Sequence, residues 1–288
     1  MNIAGIVIVY HPDIQVLCDN IKTYVQGLRQ LYVYDNSELP SPDIEKALWE
    51  VDTSIQYHYF GSNEGIAKRL NSAVKHAIEN KFDYLLTMDQ DSSFKKGDFE
   101  KYINYIQAGS YNNVVQFGVN CQPQFTVPSN IPEPVLTLIT SGTILNLSFI
   151  QNIGAFNENL FIDFVDAEFS YRVIQKGYIN LMYADIVLNH SIGTLVEGRS
   201  LINFKKTLRI THHPIRVYYI IRNGLFLLFK AKGLNATMKK DVLRCIKIIK
   251  NDNITTQHEE DSILLTTVSI IVIIYMYYYY IFFIINQY

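Results

Sequence analysis

The sequence has no excess of charge of either sign. Its 288 residues carry 25 Lys and Arg against 27 Asp and Glu, a net charge of −2. A protein that grips nucleic acid by its phosphates needs a basic field, and this balance supplies none, so no nucleic-acid partner is expected. Cysteine is scarce as well. Cys18, Cys121 and Cys245 are odd in number and far apart, which excludes a disulfide framework and metal-binding Cys spacing and fits a reducing compartment. No cationic stretch precedes the first apolar run, and that run is short and enters Tyr10-His11-Pro12-Asp13. It reads as a first strand, not a secretory signal. The same turn lacks glycine, which speaks against the Gly-rich phosphate loop of nucleotidyl-transferring enzymes. The length suits one large domain or two small ones.

What is present is an alternation of periods. Ile3–Tyr10 is a continuous apolar run, the pattern of a strand buried on both faces. From Ile14 to Leu28, apolar residues recur at helical spacing. Gln30–Tyr34 is a second strand ending in Asp35-Asn36-Ser37, and Ser54–Tyr59 a third. Ile66, Leu70, Ala73, Val74 and Ala77 mark one face of a helix, with Asn63 near its cap. Tyr84–Met88 is again a short apolar run. Strand and helix in alternation predict an α/β fold with a mostly parallel, doubly wound sheet. Farther on, Phe99–Ile106 reads as a helix, Val114–Val119 as a strand and Gln122–Pro134 as a loop. Ile144–Leu147, Ile179–Tyr183 and Ile186–Leu188 read as short strands. A helix from Asp166 runs to Lys176 and stops at Gly177, and another has Pro214 in its first turn.

Polar clusters close the first four strands: Tyr10-His11, Asp35-Asn36, Asn63, and Asp89-Gln90-Asp91. In a parallel sheet they line the carboxyl edge, where ligands bind. Two carboxylates two residues apart repel unless a cation or hydrogen-bond donors compensate, and oxygen ligands beside phosphates suit Mg²⁺ or Mn²⁺. The plainer alternative for each cluster alone is a turn. Leu160–Tyr171 places Asp163, Asp166 and Glu168 among aromatics, where a carboxylate is costly unless used and gains basicity; acids at a helix start also favour its dipole. Arg216, Tyr219 and Asn223 share a helix face, and an arginine there calls for an anion, either a ligand or an internal acid.

The stretches IVIVYHPD, VYDNSE, NEGIAKRLNSAVKHA, DYLLTMDQDSSF and FIDFVDAEFSYR resemble, in that order, family-2 glycosyltransferases of the GT-A (Rossmann-like) fold, and within them the rhamnosyltransferase branch. The segment His212–Asn223, H-x-x-x-R-x-Y-Y-x-x-R-N, resembles that branch too. The resemblance covers roughly residues 1–230. It implies an inverting transfer from a nucleotide-sugar, dTDP-L-rhamnose, to a lipid-linked surface glycan, with Mg²⁺ or Mn²⁺ as cofactor. It places Tyr10 and Asp35 on the nucleobase side and Asn63, Gly65, Asn71, Asp89 and Gln90 on the donor. Ser141 and Gly142 fall beside the donor sugar, and Arg216 and Arg222 read as contacts to the diphosphate or to an anionic acceptor lipid. Asp91 and His190 become metal ligands, and Asp166 the general base.

Beyond a basic and polar helical connector over 231–262 lies a tail, 263–288, without a charged residue. As a helix at about 1.5 Å per residue, Ile263–Ile285 is long enough for a bilayer core of about 30 Å. Its tyrosines, 275 and 277–280, also suit an interfacial helix. Lys239, Lys240, Arg244, Lys247 and Lys250 precede it, which by the positive-inside tendency predicts the cytoplasmic face of a bacterial inner membrane. The alternative is a buried C-terminal helix.

Overall fold

The structure is a computed structural model that describes residues 1–121, 128–190, 194–199, 206–211, 214–230 and 234–253. These fall into two compact units, 1–161 with 165–191, and 162–164 with the residues from 192 on.

The first unit is built on one sheet. Strands β1 (Ile3–Val9), β2 (Gln30–Asp35), β3 (Ile55–Tyr59) and β4 (Tyr84–Asp89) are followed by β5 (Ser93–Phe94), β6 (Val114–Asn120), β7 (Glu133–Pro134), β8 (Thr143–Asn146) and β9 (Ile179–Asn189). Their order is β3-β2-β1-β4-β8-β6-β9-β5, with β7 against β9. Strands β1 to β4 pair in parallel, as do β6 and β9, while β8 runs antiparallel to both neighbours. The chain leaves β1 toward β2 and β3 and returns to β4 on its other side. The gap between β1 and β4 is therefore the topological switch point, where open α/β sheets bind ligands. Register places Val9 beside Asp35 and Ile8 beside Asp89, so the carboxyl ends of three strands stand level.

Helices α1 (Ile14–Ile21), α2 (Ile44–Val51), α3 (Ile66–Glu79) and α4 (Asp98–Ala108) connect the first strands; α5 (Ile150–Ile153) and α6 (Val165–Gln175) follow β8. Leu17, Ile21, Ile44, Leu48, Phe99 and Tyr102 join Ile3, Val7 and Val33 in one core. Each large apolar side chain buried there contributes roughly 1.5–3 kcal/mol. Helix α3 buries Ala67, Leu70, Ala73, Val74 and Ala77 and packs on β1 and β4. Its apolar face is the one the sequence spacing predicts.

Three local expectations change. The helix expected over 14–28 ends at Ile21, because the Thr23 and Tyr24 N–H groups tighten onto the Asn20 and Ile21 carbonyls and Val25–Gly27 forms a 3-10 turn. Asn63 does not cap α3. The residue before the helix is Gly65 at φ 84, and the Ile66 N–H goes to the Phe161 carbonyl at 2.7 Å. The two short strands expected over 179–188 are one strand, β9, whose register against β6 jumps between Val119–Tyr183 and Asn120–Val187. The polar break at Asp185 is this bulge, where Lys101 and Tyr105 take the carboxylate. Helices α2 and α5 and strands β5 and β7 have no counterpart among the expected elements; β7 closes the stretch expected as a loop over Gln122–Pro134, of which 122–127 lie outside the described residues.

The second unit contains a hairpin, β10 (Thr194–Arg199) with β11 (Lys206–Thr211), and two packed helices, α7 (Pro214–Lys230) and α8 (Ala236–Asn253). Pro214 opens α7 as the sequence predicts. Among the described residues no helix is long and apolar enough to cross a membrane. The apolar tail, 263–288, lies outside the described residues.

Candidate active site

The site is built at the switch point. Strand β4 is apolar through Met88 and ends on Asp89, and the turn that follows carries Gln90, Asp91 and Ser92. Strand β5 then pairs antiparallel with the end of β9, Ser93 opposite Asn189. This pairing delivers His190 to the turn. Its Nδ1 lies 3.5 Å from Asp91 Oδ1, 4.0 Å from Asp89 Oδ2 and 2.9 Å from Ser92 Oγ. One ligand atom from each of Asp89, Asp91 and His190 can be chosen so that all lie within 4.8 Å of one another. Burial pushes the Asp91 carboxyl up, but the neighbouring His190 and its hydrogen bonds outweigh it and hold the group below the ordinary carboxylate range. Two carboxylates and an imidazole form a donor set that fits Mn²⁺ well and Mg²⁺ less well, since Mg²⁺ favours oxygen alone.

Backbone and side-chain bonds hold this corner in place. Gln90 uses both ends of its amide on Tyr10: the Tyr10 N–H donates to Oε1 at 2.7 Å, and Nε2 donates to the Tyr10 carbonyl at 3.3 Å. Asn20 Nδ2 donates to the Gln90 carbonyl at 3.0 Å. The Asp89 N–H donates to Ser141 Oγ at 3.1 Å. Gly142, at φ 76, has no room for a side chain, because a Cβ would stand 2.6 Å from Val119 Cγ2. So Ser141 and Gly142 lie against the end of β4. Burial and the nearby charge of Asp89 push the Cys121 thiol up to about 12.

On the other flank, the Asp35 carboxylate is fully buried. It accepts from the Ser37 N–H at 2.9 Å and from Tyr57 Oη at 2.6 Å. Tyr10 stays exposed, its hydroxyl 3.4 Å from Glu38 Oε1, and His11 Nε2 is 3.0 Å from Glu38 Oε2.

The family 2 glycosyl transferase profile matches residues 9–161, just over half of the chain, and takes in Asp35, Asp89 and Asp91 but not His190. The chain belongs to that family. The dTDP-rhamnosyl transferase RfbF of Shigella flexneri is 24% identical over 249 residues, 80% of this chain and 80% of its own. A mannosyltransferase from Pyrobaculum calidifontis, solved in complex with GDP-Man and Mn²⁺, superimposes with a TM-score of 0.58 at 13% identity, covering 93% of this chain and 73% of its own. S. aureus TarS 1–349 in complex with UDP-GlcNAc gives 0.55 at 13% identity, covering 93% and 79%. At such identities these two likenesses speak for the fold, which is GT-A.

In this glycosyltransferase the remaining candidates divide. Asn63 Oδ1 accepts from Asn36 Nδ2 at 2.8 Å and from the Gly65 N–H at 3.1 Å. Asn71 bonds Phe156 and Glu158. The Asn63 oxygen and both ends of the Asn71 amide are thus engaged within the protein. Asp166 sits in the first turn of α6, where its Oδ1 accepts from the Ala167 N–H at 2.8 Å. Arg216 and Arg222 belong to the second unit. Arg216 Nη2 lies 2.7 Å from Asp163 Oδ1, the internal ion pair that the sequence leaves open. Arg222 Nε donates to Asn223 Oδ1 at 2.9 Å, and its guanidinium lies 4.8 Å from the Tyr219 ring centroid.

Sequence reasoning missed Ser92, Tyr57, Glu38 and Arg69. Arg69 is 2% exposed. It donates to Asn36 Oδ1 and the Ser62 carbonyl, pairs with Glu64 at 2.9 Å and lies 3.7 Å from the Phe60 ring centroid. A signal was present: Arg69 falls three residues after Ile66 and four before Ala73, on the apolar face of α3.

Proposed function

We propose that this glycosyltransferase transfers L-rhamnose, with inversion, from dTDP-L-rhamnose to a hydroxyl of a lipid-linked surface polysaccharide precursor. The supporting observation is the meeting of Asp89, Asp91 and His190 at the switch point of a family 2 glycosyl transferase fold. The rhamnosyl donor rests on the likeness to RfbF. A divalent cation held by Asp89, Asp91 and His190, Mn²⁺ or Mg²⁺, would supply neutralisation of the charge growing on the departing diphosphate. Tyr10, exposed at the end of β1, faces the nucleobase side with Asp35 behind it. Asp166 accepts the proton of the acceptor hydroxyl, whose oxygen bonds to the anomeric carbon as the bond to the diphosphate breaks. A single displacement inverts the centre, by the logic of single-step glycosidases. The uncharged tail, 263–288, anchors the enzyme to the cytoplasmic face of the bacterial inner membrane, after the basic residues of α8.

The test is nucleotide release by the purified full chain across a panel of nucleotide-sugars with Mn²⁺. dTDP-L-rhamnose should be turned over fastest, and preference for a UDP- or GDP-sugar would overturn the donor assignment. The full chain should sediment with membranes; a chain truncated after Asn253 should stay in solution.

A further inference from the structure

Residues 156–161, which lead to α6 and Asp166, are held by α3 through the Asn71 side chain and the Ile66 N–H. Asn71 does this as Gln90 does for Tyr10. Its Oδ1 accepts from the Phe156 N–H at 2.8 Å and its Nδ2 donates to the Phe156 carbonyl at 3.0 Å, with Glu158 Oε1 at 2.8 Å as a further acceptor. Phe156 is buried, and its ring stacks on Phe169 of α6 with centroids 4.4 Å apart. Phe169 lies three residues after Asp166, so the two share a side of the helix. Arg172 of α6 reinforces the joint by donating to the carbonyls of Ile153 and Ala155 at 3.0 and 2.8 Å. At the head of α3, a Cβ on Gly65 would stand 2.6–2.9 Å from Phe161 atoms, and the Ile66 N–H bonds the Phe161 carbonyl. Phe161 itself takes φ 62, as do Asp163 and Phe164 at 61 and 62. Non-glycine residues hold that conformation only where the surroundings impose it.

We infer that Asn71 is a positioning residue for Asp166: it fixes the backbone of Phe156, whose ring fixes the helix that carries the base, and it is not a ligand of the donor. Gly65 serves the same joint by admitting Phe161. The inference rests on the reading of Asp166 as the base.

The experiment is a double-variant cycle on the full chain, with dTDP-L-rhamnose turnover and calorimetric donor binding in Mn²⁺ as readouts. Asn71→Ala should lower turnover by about 10²-fold, the scale of a catalytic group misplaced by about 1 Å. Its donor dissociation constant should not change. In the Asp166→Asn background the same change should add less than about twofold, because a residue that acts through the base loses its effect once the base is gone. Asn71→Asp should behave likewise and serves if Asn71→Ala does not fold. It keeps the acceptor for the Phe156 N–H but sets a carboxylate against Glu158. A donor dissociation constant that rises in step with lost turnover would make Asn71 a donor ligand and overturn the inference. Equal losses in both backgrounds would also overturn it while leaving the base in place. Full turnover by Asp166→Asn alone would remove the base assignment, and the inference with it.

Discussion

Two stretches, the lead into α3 with its first turns (63–71) and the turn after β4 (89–91), carry motif residues of similar polarity, yet their charged and amide groups keep different company. In 63–71, Asn63, Arg69 and Asn71 turn their polar atoms to the protein: to Asn36, Glu64, the Ser62 carbonyl, Phe156 and Glu158. In 89–91 the carboxylates of Asp89 and Asp91 stand side by side, with the imidazole of His190 beside both. Like charges at that spacing repel, and for Asp91 the His190 imidazole and the hydrogen bonds of the turn more than compensate. The polar residues of 63–71 can be explained by structure alone, whereas the pair of 89–91 with His190 makes a group consistent with a divalent cation. A polar residue at a strand end is thus weak evidence of a ligand until its hydrogen-bond partners are counted.

The contrast can be broken by substitution. Asp91→Ala removes a charge from the ligand-facing corner without removing a packed side chain, and should lower donor turnover by about 10²–10³-fold, the scale of lost electrostatic stabilisation. Chelation of the parent protein should match it, and full activity in chelator would contradict the metal assignment. Arg69→Met acts on the protein-facing stretch. It takes from Asn36 Oδ1 one of its two donors, the Glu64 N–H at 3.1 Å remaining, and removes the buried partner of Glu64; it should cost about 1–3 kcal/mol of stability, read as a lower urea midpoint. A variant as stable as the parent would show that the Arg69 network is dispensable. Ser92→Ala removes the hydroxyl beside His190 Nδ1 and should weaken Mn²⁺ binding by about tenfold, as loss of an outer partner of a ligand does. Unchanged Mn²⁺ affinity would mean that Ser92 does not orient the ring.

The four-strand parallel core was legible because its signal is local: apolar runs, helical spacing and polar strand ends each fit within a dozen residues. The turn at Asp89–Asp91 was legible for the same reason. His190 could be placed only by resemblance, since the pairing of Ser93 with Asn189 that brings it home joins residues 96 apart from a strand of two residues. The roles of Asn63 and Asn71 were hidden in the same way. Their partners, Asn36 and Phe156, are distant in sequence, and an asparagine bonded to backbone looks no different in sequence from one bonded to a sugar. The ion pair of Arg216 with Asp163 was foreseeable as an alternative because arginine on a mostly apolar helix demands an anion, but its choice of acid needed the fold.

The most direct measurement is calorimetric titration of dTDP-L-rhamnose, in the presence of Mn²⁺, into the parent protein, Asp91→Ala and Asn71→Ala. The account predicts that binding collapses in Asp91→Ala and keeps the parent affinity in Asn71→Ala. Intact binding in Asp91→Ala together with lost binding in Asn71→Ala would reverse the assignment of the two stretches and contradict it.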